Sequence, residues 1–172
     1  MSERWRFLPN ISPEVTLEQH FALIVEEHRQ SLLAPLSTRK VLLVAVLLDH
    51  FADWVFARFR ASMPDFLFGA EDLLAYRAQL AERSAALAAI FALCGGRGEA
   101  VLRIDAIAVP IADYPALPVE DFMVSLYNGN SVQRVVIATR DGATILAHDV
   151  LTRALADWGS IGWHEPEPMT GP

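Results

Sequence analysis

The stretch Cys94-Gly95-Gly96-Arg97-Gly98-Glu99-Ala100-Val101-Leu102-Arg103-Ile104-Asp105-Ala106 divides the chain into two kinds of pattern. Before it, apolar residues recur at helical spacing; after it, they alternate, as Leu102 to Ala106 shows. Three glycines within four positions stop a helix, because glycine adopts the left-handed conformation that ends one. The same glycines do not suggest a phosphate cradle. They follow a helix and precede a strand, whereas a cradle needs amides at a helix N-terminus. Helices first and strands afterwards predict an α+β fold.

Upstream, Thr16 with Gln19 makes a T-x-x-Q capping box, and Ser12-Pro13-Glu14 offers a rival helix start one turn earlier. Leu17, Phe21, Ile24, Val25, His28 and Leu32 then lie at helical spacing until Pro35. A second helix is expected from Ser37 or Thr38 to about Arg60. It is apolar around most of its circumference over Val41–Leu48, as befits the centre of a bundle. Ser62-Met63-Pro64-Asp65 interrupts the pattern, and a third helical region runs from Ala70 to Cys94. Ser84 within it is a candidate cap for a separate fourth helix.

Downstream, Phe122–Tyr127, Val132–Thr139 and Thr144–Ala147 are rich in β-branched and aromatic residues, and read as further strands. Asp141-Gly142 is a hairpin turn signal, and Asn128-Gly129-Asn130 separates the two preceding runs. The expectation is an antiparallel sheet of three or four strands. Pro110–Pro118 reads as a connecting loop, and a last helix follows Asp149 with Leu151, Leu155 and Trp158 on one face. One domain over residues 1–161 is expected, helical over about 12–95 and with sheet and last helix over about 99–161. Residues 162–172, with three prolines and two glutamates, read as an extended tail whose Trp163 either frays or anchors it on an apolar surface.

The 172 residues are 53% hydrophobic and carry a formal net charge of -7. That balance argues against nucleic acid as a partner, since gripping phosphates takes a basic face. Val41–Phe59 is the most membrane-like stretch, but Asp49, His50 and Asp53 interrupt it, so no membrane association is expected. Cys94 is the only cysteine, which excludes an intrachain disulfide. Residues 1–10 contain no apolar run of the secretory kind, and the cytoplasm is the expected compartment.

Three segments together resemble a family of uncharacterised bacterial proteins: Thr16-Leu17-Glu18-Gln19-His20-Phe21, His50-Phe51-Ala52-Asp53, and the ending around Asp141-Gly142 and Trp158. The resemblance spans about residues 16–161. It implies a helical N-terminal half, an antiparallel sheet and a C-terminal helix, with no established activity. Many members of that family carry a Lys-His pair where this chain has Cys94-Gly95-Gly96-Arg97-Gly98.

The candidate chemical site is Asp49-His50-x-x-Asp53. Asp49 and Asp53 are one helical turn apart, and a carboxylate-supported imidazole is what a general base or metal ligand needs. His20 and His28 on the first helix would have to complete a metal set with His50, because one helix supplies at most two good ligands. The plainer reading has His50 and Asp53 hydrogen-bonding each other or the backbone. His28 falls on the apolar face and reads as a satisfied core or rim histidine. Cys94, near a helix C-terminus with no neighbouring lysine or histidine, reads as a buried, inert thiol. Arg39-Lys40 and Arg58-x-Arg60 are basic pairs at helix ends. No H-x-x-x-H or E-x-x-H pairing occurs, and no cofactor is expected. The function expected is non-catalytic, through a protein partner or a homodimer. The alternative is a metal- or His/Asp-dependent enzyme with its site around His50 and Asp53.

Overall fold

Thr16 opens the first helix with both halves of the capping box formed: its hydroxyl accepts from the Gln19 amide, and the Gln19 side chain accepts from the Thr16 amide. A computed structural model describes residues 15–62 and 64–163 of the chain. Helix α1 covers Leu17–Leu32, and α2, capped by Ser37, covers Thr38–Phe59. A 3-10 turn at Pro64–Leu67 leads to α3 at Leu73–Arg83, capped by Asp72. Phe68 and Gly69 have φ of 55° and 74° in the connection, the left-handed conformation that glycine tolerates and phenylalanine seldom adopts. The rival start at Ser12 lies outside the described residues.

Ser84 splits the third helical region as its capping chemistry suggests. Its backbone is extended, its hydroxyl accepts from the Leu87 amide at 3.0 Å, and a new helix α4 runs over Ala85–Cys94. The same hydroxyl donates to Asp157 at 2.6 Å, tying the break to the last helix of the chain.

Past the glycines, β1 (Ala100–Ala108) pairs antiparallel with β2 (Ser131–Thr139), which pairs antiparallel with the short β3 (Thr144–Leu146). The sheet order is β1-β2-β3, with the Asp141-Gly142 turn joining β2 to β3. The expected strand at Phe122–Tyr127 is instead part of a helix, α5 (Val119–Tyr127). Its aromatic and β-branched residues suggested extension, but other signals prevail. Pro118 precedes the helix, Glu120 and Asp121 sit in its first turn where the dipole favours anions, and Asp121, Phe122 and Ser125 face the sheet at helical spacing. The Pro110–Pro118 connection contains a 3-10 turn at Ile111–Ala116. The last helix, α6 (Ala147–Ser160), begins two residues before Asp149.

The core lies where α2, α4 and α6 meet the inner face of the sheet. Val41, Val44, Ala45 and Leu48 of α2 are fully covered, whereas Leu42 and Leu43 remain 44% exposed, so this helix is buried along a face and not around its whole circumference. Phe51 is its aromatic pivot, with Trp158 and Trp163 edge-on at 5.0 and 5.1 Å. Trp163 is 2% exposed and donates its indole N–H to the Trp158 carbonyl at 2.8 Å. The start of the expected tail is therefore anchored on its own chain; residues 164–172 lie outside the described residues.

Candidate functional site

Asp49 and Asp53 point from one face of α2 toward α3, and there Arg77 meets both. Its Nη1 donates to Asp49 Oδ1 at 2.7 Å, and its Nη2 to Asp53 Oδ1 at 2.7 Å and Asp49 Oδ2 at 3.1 Å. The Arg77 Nε adds a second bond to Asp53 at 3.1 Å, and Nη2 also lies 3.1 Å from the Asp49 carbonyl oxygen. The three side chains are only 13–24% exposed. Burial works against the guanidinium charge, but the bonds and charges of Asp49 and Asp53 outweigh it and hold the Arg77 pKa above its ordinary value. The Phe91 ring lies 5.1 Å from the guanidinium carbon. This is an ion-paired clamp between two helices, with its carboxylates committed to a permanent cation.

His50 does not join it. The His50 ring donates from Nδ1 to the Val46 carbonyl one turn back at 2.9 Å, on the exposed side of α2. His20 packs edge-on against Trp54; burial lowers its pKa, and its Nδ1 has no hydrogen-bond partner among the described residues. His28 turns toward α6, where its Nε2 lies 2.9 Å from Thr152 Oγ1. The candidates His20, His28 and His50 thus face three different surroundings. Among the described residues, no group of three or more His, Cys, Asp and Glu side chains is placed to hold a metal ion.

Burial, reinforced by the Asp49 carboxylate, pushes the Cys94 thiol up to about 12 despite the opposing charge of Arg77. A thiol so rarely ionised is a poor nucleophile. Lys40, from the first basic pair, donates to the Gln30 carbonyl at 3.2 Å and so closes the end of α1.

Two surface depressions flank these groups. A groove of about 520 Å³ lies between α2 and α3, with Phe56 and Leu73 in its walls and Asp53, Arg60, Glu71 and Asp72 among its polar groups. A cleft of about 260 Å³ lies where the β2 edge runs past the end of β3, bordered by Leu32, Pro35, Pro118, Arg134 and His148. Within that cleft Arg134 is ion-paired with Asp121 of α5, and His148 donates from Nε2 to the Ser31 carbonyl at 3.2 Å.

Arg77, the centre of the clamp, was not legible as a site residue. It sits in an alanine-rich helix, and nothing in its neighbours marks it. The available signal was indirect: two aspartates one turn apart on a half-buried helix face need a cation opposite, and α3 offers Arg77 and Arg83. No family model, no curated protein and no solved structure matches this chain. No helix among the described residues is long and apolar enough to cross a membrane.

Proposed function

We propose that this chain is a non-catalytic protein of the cytoplasm that works by contact with another protein chain. The observation that carries the reading is α5. Val119 is 73% exposed, Tyr127 82%, and Met123, Val124 and Leu126 between 43% and 52%, while the buried residue of the helix is Ser125. A helix with all its apolar side chains but Phe122 largely in water and a serine inside presents a surface suited to a partner. The net charge of -7 favours a protein over a polyanion as that partner. The alternative, an enzyme using His50 and Asp53, draws less support, because Asp49 and Asp53 are bonded to Arg77 and His50 to the backbone.

The test uses the full chain carrying Val119→Glu and Tyr127→Glu, which add charge to the outward face of α5. The expected result is loss of a stoichiometric protein partner, or of self-association, at an unchanged melting temperature. Unchanged association of the variant, or an unmodified chain that binds no protein and forms no oligomer, would remove the support that α5 gives.

A further inference from the structure

Among the described residues, strand β1 is an open sheet edge. The sheet order leaves one of its sides without a neighbouring strand from those residues, and its nine residues pair with β2 in one unbroken register from Ala100↔Thr139 to Ala108↔Ser131. Sheet edges are usually protected by proline, charged side chains, a bulge or short length. β1 is nine residues long with no proline, lysine or bulge; its charges are one of each sign, Arg103 and Asp105, and Val101 and Ile104 on it are 53% and 47% exposed.

The direction of its free backbone groups follows from two hydrogen bonds. The Arg140 amide donates to the Glu99 carbonyl, and the Val109 amide to the Asn130 carbonyl, both on the register of the β1–β2 pair. Odd-numbered residues of β1 therefore exchange bonds with β2. Even-numbered residues, Ala100, Leu102, Ile104, Ala106 and Ala108, turn their N–H and C=O groups away from the sheet. Of these, the Ala106 amide is held by Asp105 Oδ1 at 3.1 Å, a local bond that a new strand would replace.

The side chains add a register. Arg103 and Asp105 flank Ile104 symmetrically, and within one chain they pair at 2.9 Å with both side chains well exposed. A second β1 running antiparallel about a two-fold axis at Ile104 sets each Arg103 directly opposite the other copy's Asp105. Val101 then meets Ile107, Ala100 meets Ala108, and Ile104 meets Ile104. The even-numbered residues form the hydrogen-bonded pairs, giving about ten main-chain bonds, and Arg103 and Asp105 fall on the closer, non-hydrogen-bonded pairs. The adjacent two-fold registers place Arg103 on Arg103 or Asp105 on Asp105, so charge selects one register out of three.

We infer that the β1 edge is a self-association surface on which a second copy of this chain docks, joining the two three-stranded sheets into one. The inference rests on the reading that the chain works by protein contact and names one partner and one seam for it. The existing Arg103–Asp105 pair is exchanged between copies, and Arg103 gives up its longer bond to Thr144 Oγ1 of β3, 3.4 Å away, to make the exchange.

Sedimentation equilibrium on the full chain tests it, with three variants of the β1 edge and the α5 variant beside them. The unmodified protein is expected to pass from one to two chains with rising concentration. Arg103→Asp sets carboxylate against carboxylate and is expected to weaken the dimer about tenfold or more. The charge swap Arg103→Asp with Asp105→Arg is expected to restore it. Ile104→Pro removes an outward N–H that β2 does not use, and is expected to give a monomer whose circular dichroism matches the unmodified chain. Should that proline variant unfold, the two charge variants decide alone. A single-chain mass at every concentration overturns the inference, and so does a dimer that the charge variants leave unchanged. A dimer lost instead on Val119→Glu and Tyr127→Glu moves the interface to α5, overturning the β1 seam while keeping the contact reading. A chain with neither self-association nor a protein partner loses both.

Discussion

Helices α2 and α5 are both dominated by apolar residues, yet they meet opposite environments. Nine residues of α2 are buried, including Val44, Leu48 and Phe51, while α5 buries Ser125 and leaves Tyr127 82% exposed. The difference lies in neighbours. α2 is surrounded by α1, α3, α4, α6 and β1, whereas α5 lies chiefly on β2. Apolar composition sets what a helix gains from burial; topology sets whether burial is on offer. Helix α2 is therefore covered by its own chain along most of one face, whereas among the described residues the sheet half keeps an uncovered helix face on α5 and an open strand edge on β1.

The largest effect that tests this contrast is in the core. Leu48 is completely covered, so Leu48→Ala is expected to cost about 2–5 kcal/mol by lost transfer energy and a cavity. Leu126→Ala in α5, at a position 52% exposed, is expected to change stability by no more than about 0.5 kcal/mol. Urea unfolding of both variants gives the comparison directly. Equal losses would mean that α5 is packed in solution and that the contrast is mistaken.

A smaller effect sharpens the account of α2. Arg77→Ala leaves Asp49 and Asp53 facing each other, half-buried and without their cation. The expected cost is about 2 kcal/mol, the scale of hydrogen bonds to charged groups, reduced because the clamp keeps some contact with water. Asp49→Asn in the Arg77→Ala background should then cost little or nothing. A full additional loss from Asp49→Asn there would show that Asp49 stabilises the fold by some other contact.

These particular residues show how far sequence reading reaches. Thr16, Ser37, Ser84 and Asp141-Gly142 act within a few positions of themselves, and such local capping and turn chemistry made α1, α2, the α3–α4 break and the β2–β3 turn legible. Phe122–Tyr127 reads as a strand because its residue types favour one, whereas Pro118, the acidic first turn of Glu120 and Asp121, and packing on β2 decide for helix. Arg77 escaped for a different reason: its partners stand 24 and 28 positions away, across a helix pair whose facing depends on the fold. The bond from His50 to Val46 was within reach of the sequence, being one helical turn long.

The smallest effect is expected at the seam between α1 and α6, and it depends on pH. His28 packs there against Thr152, and His148 donates to the carbonyl of Ser31. Burial, and then the charge of His148, lowers the His28 pKa from its usual 6.5. Burial also lowers that of His148, with Arg134 adding to the effect and the Ser31 carbonyl and Asp149 opposing it. The folded chain therefore prefers both rings neutral. Above the unfolded value of 6.5 neither state takes up these protons, and stability is at its full level. As pH falls below 6.5, the unfolded chain binds protons that the folded chain resists, so stability declines until the lower folded-state values are passed. Melting temperatures measured from about pH 8 down to about pH 5 should show that decline, and His28→Gln should flatten it. Amide exchange locates it: α1 and α6 are expected to lose protection with acid, while α5, which has no histidine, keeps the exchange it already has once the intrinsic pH dependence is removed. A slope that His28→Gln leaves unchanged would transfer the effect to His148 on the same seam or to His20, whose pKa burial also lowers, at the contact between α1 and Trp54 of α2, and His148→Gln separates the two.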